Sequence, residues 1–143
     1  GGFLPSEAEW NYAAAGGAEQ RKFPWGNSSP GADALKAIYG CYFGGAPCTG
    51  LKNLAPVGSV AAGAGKFGQL DLAGSLWEWT LDGRVTPYAE KTCVDCYYAT
   101  GVERVFRGGA FNNDITSIAS SNRSSFSATV RNHGVGFRCA RMP

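Results

Sequence analysis

The stretch Phe67-Gly68-Gln69-Leu70-Asp71-Leu72-Ala73-Gly74-Ser75-Leu76-Trp77-Glu78-Trp79-Thr80-Leu81 joins a glycine turn to a run of period two. From Ser75 to Leu81, Leu76, Glu78 and Thr80 alternate with Trp77, Trp79 and Leu81. That is the pattern of a strand with one packed face and one face bearing a carboxylate. The large apolar area of tryptophan makes Trp77 and Trp79 core residues on this reading, together with Trp10 and Trp25. Asp71 and Glu78 also set two hard carboxylates around the turn at Gly74. With the backbone carbonyls of Gly74 and Leu76 they make a candidate calcium site. The plainer alternative is that Glu78 hydrogen-bonds backbone amides inside a tryptophan-lined core, with no ion.

Upstream, Ser6 stands three residues before Glu9, and Gly16-Gly17 follows Trp10-Asn11-Tyr12-Ala13-Ala14-Ala15. A capping box and a glycine stop predict a short helix over about 7–15, with Trp10, Ala13 and Ala14 on one face. From Phe23 to Gly65, Gly, Pro, Ser and Asn recur every few residues. This predicts a long coil, with only residues 55–60 extended. Downstream, residues 102–107 and 135–141 read as two further strands, and no regular period appears between Gly109 and Gly134. Gly and Pro together supply 28 of the 143 residues, which predicts one loop-rich domain with short elements. A formal charge of +2 with no block of like charge gives no footprint for nucleic acid. No apolar run approaches the roughly 18–20 residues that cross a bilayer.

Five cysteines stand at positions 41, 48, 93, 96 and 139. Two close pairs in turn-like surroundings predict local disulfides, Cys41 with Cys48 and Cys93 with Cys96, in an exported protein. A zinc knuckle is the rival, disfavoured by the long first spacing. Cys139 is left over, which points either to a partner outside the chain or to a free thiol. The chain opens on Gly1-Gly2-Phe3-Leu4, as the middle of a protein would, so any export signal is expected upstream.

Six ordered motifs carry a resemblance. They are residues 2–14 (GFLPSEAEWNYAA), residues 23–27 (FPWGN), residues 56–59 (PVGS), residues 67–79, residues 104–111 (RVFRGGAF) and residues 136–141 (GFRCAR). In order and spacing the chain resembles the formylglycine-generating enzyme, or sulfatase-modifying factor, family. The resemblance implies an irregular α+β fold of the C-type lectin-like kind. It implies calcium at the Asp71–Glu78 motif. It also implies an upstream half that this chain lacks, so residues 1–143 are expected to be the C-terminal part of a single domain. In such relatives the cysteine of the closing motif is often paired upstream, so Cys139 is expected to bridge an upstream segment or a second chain.

The family enzymes oxidise a peptidyl cysteine of sulfatases with oxygen, using copper(I) held by two thiolates shortly after the Arg-Gly-Gly motif. Soft copper needs soft ligands. Here Asn113 and Ile118 stand near the two thiolate positions, and no cysteine lies between 97 and 138. Copper chemistry is therefore not expected. Iron-dependent relatives use several histidines, whereas this sequence has only His133. Arg107-Gly108-Gly109 suggests close backbone approach, with Arg107 bracing an internal carboxylate. The segment from Asn112 to Asn132 would face the surface where family enzymes hold peptides and where related variable proteins bind ligands. Its short polar groups Asn112, Asn113, Asp114, Asn122, Arg123 and Arg131 suit adaptable hydrogen bonding. The expectation is a catalytically silent, extracellular or periplasmic binding or assembly module, taking a peptide, protein or glycan ligand. Its alternatives are a formylglycine-generating oxidoreductase and a structural subunit completed by a second chain.

Overall fold

The computed structural model of the chain describes residues 1–32, 34–86 and 97–141. Helix α1 spans Glu7–Ala14. The Ser6 side chain accepts from Glu9 N–H at 3.2 Å while the Glu9 carboxylate takes Ser6 N–H at 2.7 Å, so the capping box forms as the sequence predicts. Four strands follow: β1 Trp77–Gly83, β2 Glu103–Arg107, β3 Arg123–Ser127 and β4 Val135–Gly136. They form one sheet in the order β3-β2-β1-β4. β1 with β2 and β2 with β3 are antiparallel, whereas β1 with β4 is parallel. The last strand expectation is corrected. Only Val135–Gly136 pair with β1, and Ala140 instead bridges Phe3 near the N-terminus. β3 lies within the stretch that shows no period in sequence. Residues 55–60 contain a turn and no strand.

The faces of β1 are also the reverse of the expectation. Glu78, Thr80 and Asp82 are buried, at 7%, 2% and 5% exposure, while Trp77, Trp79 and Leu81 are only half-buried. The inner face is a layer of charge beneath α1. Glu78 pairs across the sheet with Arg107, and Arg107 with Arg123, so the three side chains form one row. Helix α1 supplies Glu7, whose carboxylate takes both Arg123 Nε (2.8 Å) and Nη2 (2.7 Å), with Arg107 Nη1 at 3.4 Å. Asp82 accepts Glu7 N–H at 2.6 Å. Trp10 lays its ring against the Arg107 guanidinium and donates its indole N–H to Glu78 at 2.7 Å. Arg138 closes the set on Glu78. Two of the carboxylates, Glu7 and Glu78, thus face three guanidiniums, while Asp82 is held by the backbone N–H groups of Glu7 and Tyr98.

Apolar packing is divided among separate clusters. Phe23, Ala37, Tyr39, Ala73 and Ile118 form one cluster, and Ile38, Ala110 and Phe111 another. The long coil is tied down where it crosses the Gly74 turn. Ser75 N–H donates to Ile38 O at 2.7 Å and Gly74 N–H to Gly108 O at 2.7 Å. A Cβ on Gly74 would sit 2.2 Å from Ile38 O, and its φ is +75°, so the position requires glycine. Cys41 and Cys48 form the expected disulfide, with Cα atoms 5.6 Å apart. Cys93 and Cys96 lie outside the described residues. No described helix is long and apolar enough to cross a membrane.

Candidate functional site

With its charged face turned in, the sheet leaves an aromatic face outward. Trp77 of β1 meets Phe106 of β2 edge-on at 4.9 Å, Trp79 meets the same ring at 5.3 Å, and Phe126 of β3 stacks on it at 6.1 Å. Phe126 is 53% exposed. At one end of this face, Trp77, Phe106, Phe126 and Val130 line a cleft of about 150 Å³ together with Asn112, Asn113 and Asn132. The wall at residues 111–113 is braced from behind. Gly40 N–H donates to Asn113 O at 2.8 Å and Cys41 N–H to Phe111 O at 2.9 Å. The disulfide at Cys41 therefore anchors the segment that carries Asn112 and Asn113.

Of the six residues proposed from sequence as ligand contacts, Asn112 and Asn113 line the cleft. Asp114 does not. Its Oδ1 closes a turn, accepting from the Thr116 hydroxyl at 2.7 Å and from the Ser117 N–H and hydroxyl, both at 3.1 Å. These bonds, the Thr116 hydroxyl foremost, favour the charged form and hold the carboxyl below its ordinary range. Asn122 is spent on Ser117 O at 3.0 Å. Arg123 is a correction, because its guanidinium is turned inward onto Glu7 and Val85 O. Arg131 is exposed, one residue before Asn132. Sequence reasoning missed Asn132; Trp77, expected in the core, is half-buried against the Ile38–Phe111 cluster and also lines the cleft. Asn132 Oδ1 accepts Gly134 N–H at 2.7 Å, so the Asn-x-Gly spacing was the available signal.

The calcium expectation meets a donor set already in use. Glu78 Oε2 takes Arg138 Nε at 2.5 Å and Trp10 Nε1 at 2.7 Å, and its Oε1 takes Arg138 Nη2 at 2.6 Å. Asp71 Oδ2 takes Gly58 N–H at 2.7 Å. A guanidinium stands where the cation would, and no group of three or more His, Cys, Asp or Glu side chains suited to a metal occurs among the described residues. Asp71, Gly74, Leu76 and Glu78, as arranged, do not fit calcium. Nor do the residues after Arg107 fit copper(I). Asn113 is held by Ala110 N–H at 2.9 Å, and Ile118 is 1% exposed inside the Phe23 cluster. His133 is exposed, its ring 5.9 Å from Phe111.

The family model for the "sulfatase-modifying factor enzyme 1-like domain" matches residues 2–143. The chain belongs to this family. Among its relatives, the formylglycine-generating enzyme of Streptomyces coelicolor is 35% identical over 145 residues, covering 96% of this chain and 46% of that protein. The formylglycine-generating enzyme of Bos taurus is 31% identical over 147 residues, 96% of this chain and 38% of that one. Hercynine oxygenase of Mycolicibacterium smegmatis is 33% identical over 129 residues, 78% and 26% respectively. The chain thus spans less than half the length of these relatives. The structure of Treponema denticola variable protein 1 superimposes with a TM-score of 0.78 at 29% identity, over 97% of this chain and 47% of that one. PvdO from Pseudomonas aeruginosa gives a TM-score of 0.75 at 24% identity, over 96% and 51%, a likeness of fold. The sulfatase-modifying factor domain is accordingly irregular α+β of the C-type lectin-like kind, and its relatives carry more than one named activity.

Proposed function

We propose that the chain is part of a non-catalytic, exported binding module of the sulfatase-modifying factor family, with the Trp77–Asn113–Asn132 cleft as its ligand site. The observation that carries this reading is the replacement of soft donors by Asn113, a held amide, and Ile118, a buried core residue. Neither side chain can bind copper(I) as a thiolate does. What remains at the same place is an aromatic wall with side-chain amides, the chemistry of recognition. The Cys41–Cys48 disulfide supports export, since such bonds persist in oxidising compartments. Incubation of the protein with a cysteine-containing sulfatase-motif peptide, copper(I) and oxygen is expected to leave the peptide mass unchanged. An aldehyde product would overturn the non-catalytic reading in favour of the formylglycine-generating oxidoreductase.

Cys139 supports a second element of this proposal. Phe3 and Ala140 exchange both backbone hydrogen bonds, at 2.9 and 2.8 Å, and this brings the exposed Cys139 beside Gly2. Cys139 bridges an upstream segment of the same domain, or a second chain, on this reading. Disulfide mapping of the natural protein is expected to find Cys139 oxidised to a cysteine outside residues 1–143. A free Cys139 thiol in the natural protein would exclude both arrangements.

A further inference from the structure

The fixed polar groups of the cleft are one-sided. Asn113 Oδ1 accepts Ala110 N–H, and Asn132 Oδ1 accepts Gly134 N–H. A backbone N–H can only donate, so these contacts settle which end of each amide is oxygen. The Nδ2 groups of Asn113 and Asn132 make no hydrogen bond among the described residues. Four of the lining backbone carbonyls, by contrast, are already engaged. Ala110 O accepts Asn113 N–H, Asn113 O accepts Gly40 N–H, Asn132 O accepts Val135 N–H and Gly134 O accepts Trp77 N–H. Among the described residues no carboxylate, lysine or arginine lines the space. It therefore offers directed donors and aromatic surface, without the guanidinium or ammonium that recognition of an anion calls for.

We propose that this cleft binds a single ring of a neutral saccharide, an inference that rests on the reading of the cleft as a binding site. Ring and hydroxyl oxygens accept from the two Nδ2 groups, and the C–H face of the sugar lies on the half-exposed Phe126 and Trp77 rings. A peptide main chain is the poorer occupant. It brings one N–H donor for every carbonyl, and around the two amides the carbonyls of Ala110, Asn113, Asn132 and Gly134 are already spent, so an N–H placed there would be desolvated without a partner. A sugar hydroxyl accepts in the cleft while its own hydrogen rotates toward water. The volume of about 150 Å³ lies below the roughly 300–1,000 Å³ typical of pockets for larger ligands, which limits the occupant to one ring.

Asn113→Asp and Asn132→Asp test this cleanly. Each keeps the oxygen that accepts from the backbone and exchanges the NH2 donor for a second oxygen. Saturation-transfer NMR would be run with a panel of methyl glycosides of neutral hexoses, pentoses, deoxyhexoses and N-acetylhexosamines, beside an uncharged acetyl-dialanine amide. The expected result is transfer to at least one glycoside, with affinity lowered tenfold or more in each variant at unchanged melting temperature. Glycoside binding that is unaffected by both variants would overturn the proposal, as would a panel with no binder. Binding of the peptide amide alone, lost in the same variants, would overturn the saccharide while leaving the cleft a binding site. Silence of both probe classes would count against the binding-site reading as well.

Discussion

Glu7→Gln is expected to lower the stability of the fold by about 3–5 kcal/mol, the typical cost of stripping one partner from a buried ion pair. Glu7 is 3% exposed and receives two guanidiniums. Glutamine keeps the shape and one acceptor oxygen, so packing alone changes little. What it removes is the only carboxylate within 4 Å of both Arg107 and Arg123 among the described residues. Arg107 is itself 3% exposed, and it also donates to the neutral acceptors Asn11 Oδ1, Ser120 O at 2.9 Å and Ser121 O at 3.3 Å. Both guanidiniums would then lose the carboxylate they share under α1. Domains of this size have about 5–15 kcal/mol in total, so a large fraction of the population would unfold under mild denaturant. Urea unfolding checks this through the midpoint at constant slope. A loss under about 1 kcal/mol, the range of exposed pairs, would mean that the layer admits water. Glu7→Leu combined with Arg107→Met is expected to recover part of the loss, since the more buried of the two guanidiniums is removed with the carboxylate, while the Arg123 side chain, 18% exposed, has access to water.

The inverted strand explains which parts of this molecule could be read from sequence. The capping box at Ser6 and Glu9 was legible because both partners lie within one turn of helix. Disulfide Cys41–Cys48 was legible for the same local reason. The alternation in Trp77–Leu81 correctly separates two faces, but period two cannot say which face turns inward. That is decided by contacts such as Glu7 N–H to the Asp82 carboxylate, 75 positions apart, and Arg138 to Glu78, 60 positions apart, which exist only in the fold. Arg107 was correctly expected to brace an internal carboxylate. Arg123 was read as a surface contact because its partner lies 116 residues away. Strand β3 carries Arg-Ser-Ser-Phe-Ser, with one apolar residue in five, so no hydrophobic period marks it. The segment around Asn112 was recognised as a surface, whereas Trp77 was read as core only, although it packs on the Ile38–Phe111 cluster and also lines the cleft.

Glu78→Ala is expected to cost about 3 kcal/mol, and calcium is expected to do nothing for the unmodified protein. Both follow from one carboxylate. Its two oxygens hold the Arg138 fork and the Trp10 indole N–H, so truncation leaves a guanidinium and a buried donor without their acceptor. The Glu78 side chain is 10% exposed and that of Arg138 27%, which admits some water to Arg138 and keeps the expected loss at the lower end for buried pairs. A calcium ion at Asp71 and Glu78 would have to expel Arg138 first and would meet its positive charge on the way in. The contrast is measurable by thermal unfolding. An ion at about 100 times its Kd stabilises by about 2.7 kcal/mol, which for a domain of this size raises Tm by several degrees. Millimolar calcium or a chelator is therefore expected to leave Tm unchanged within about one degree, while Glu78→Ala lowers it by several. If calcium instead raises Tm markedly, and Glu78→Ala abolishes that rise, then Arg138 leaves Glu78 in the loaded protein and the ion is the counter-charge this carboxylate serves.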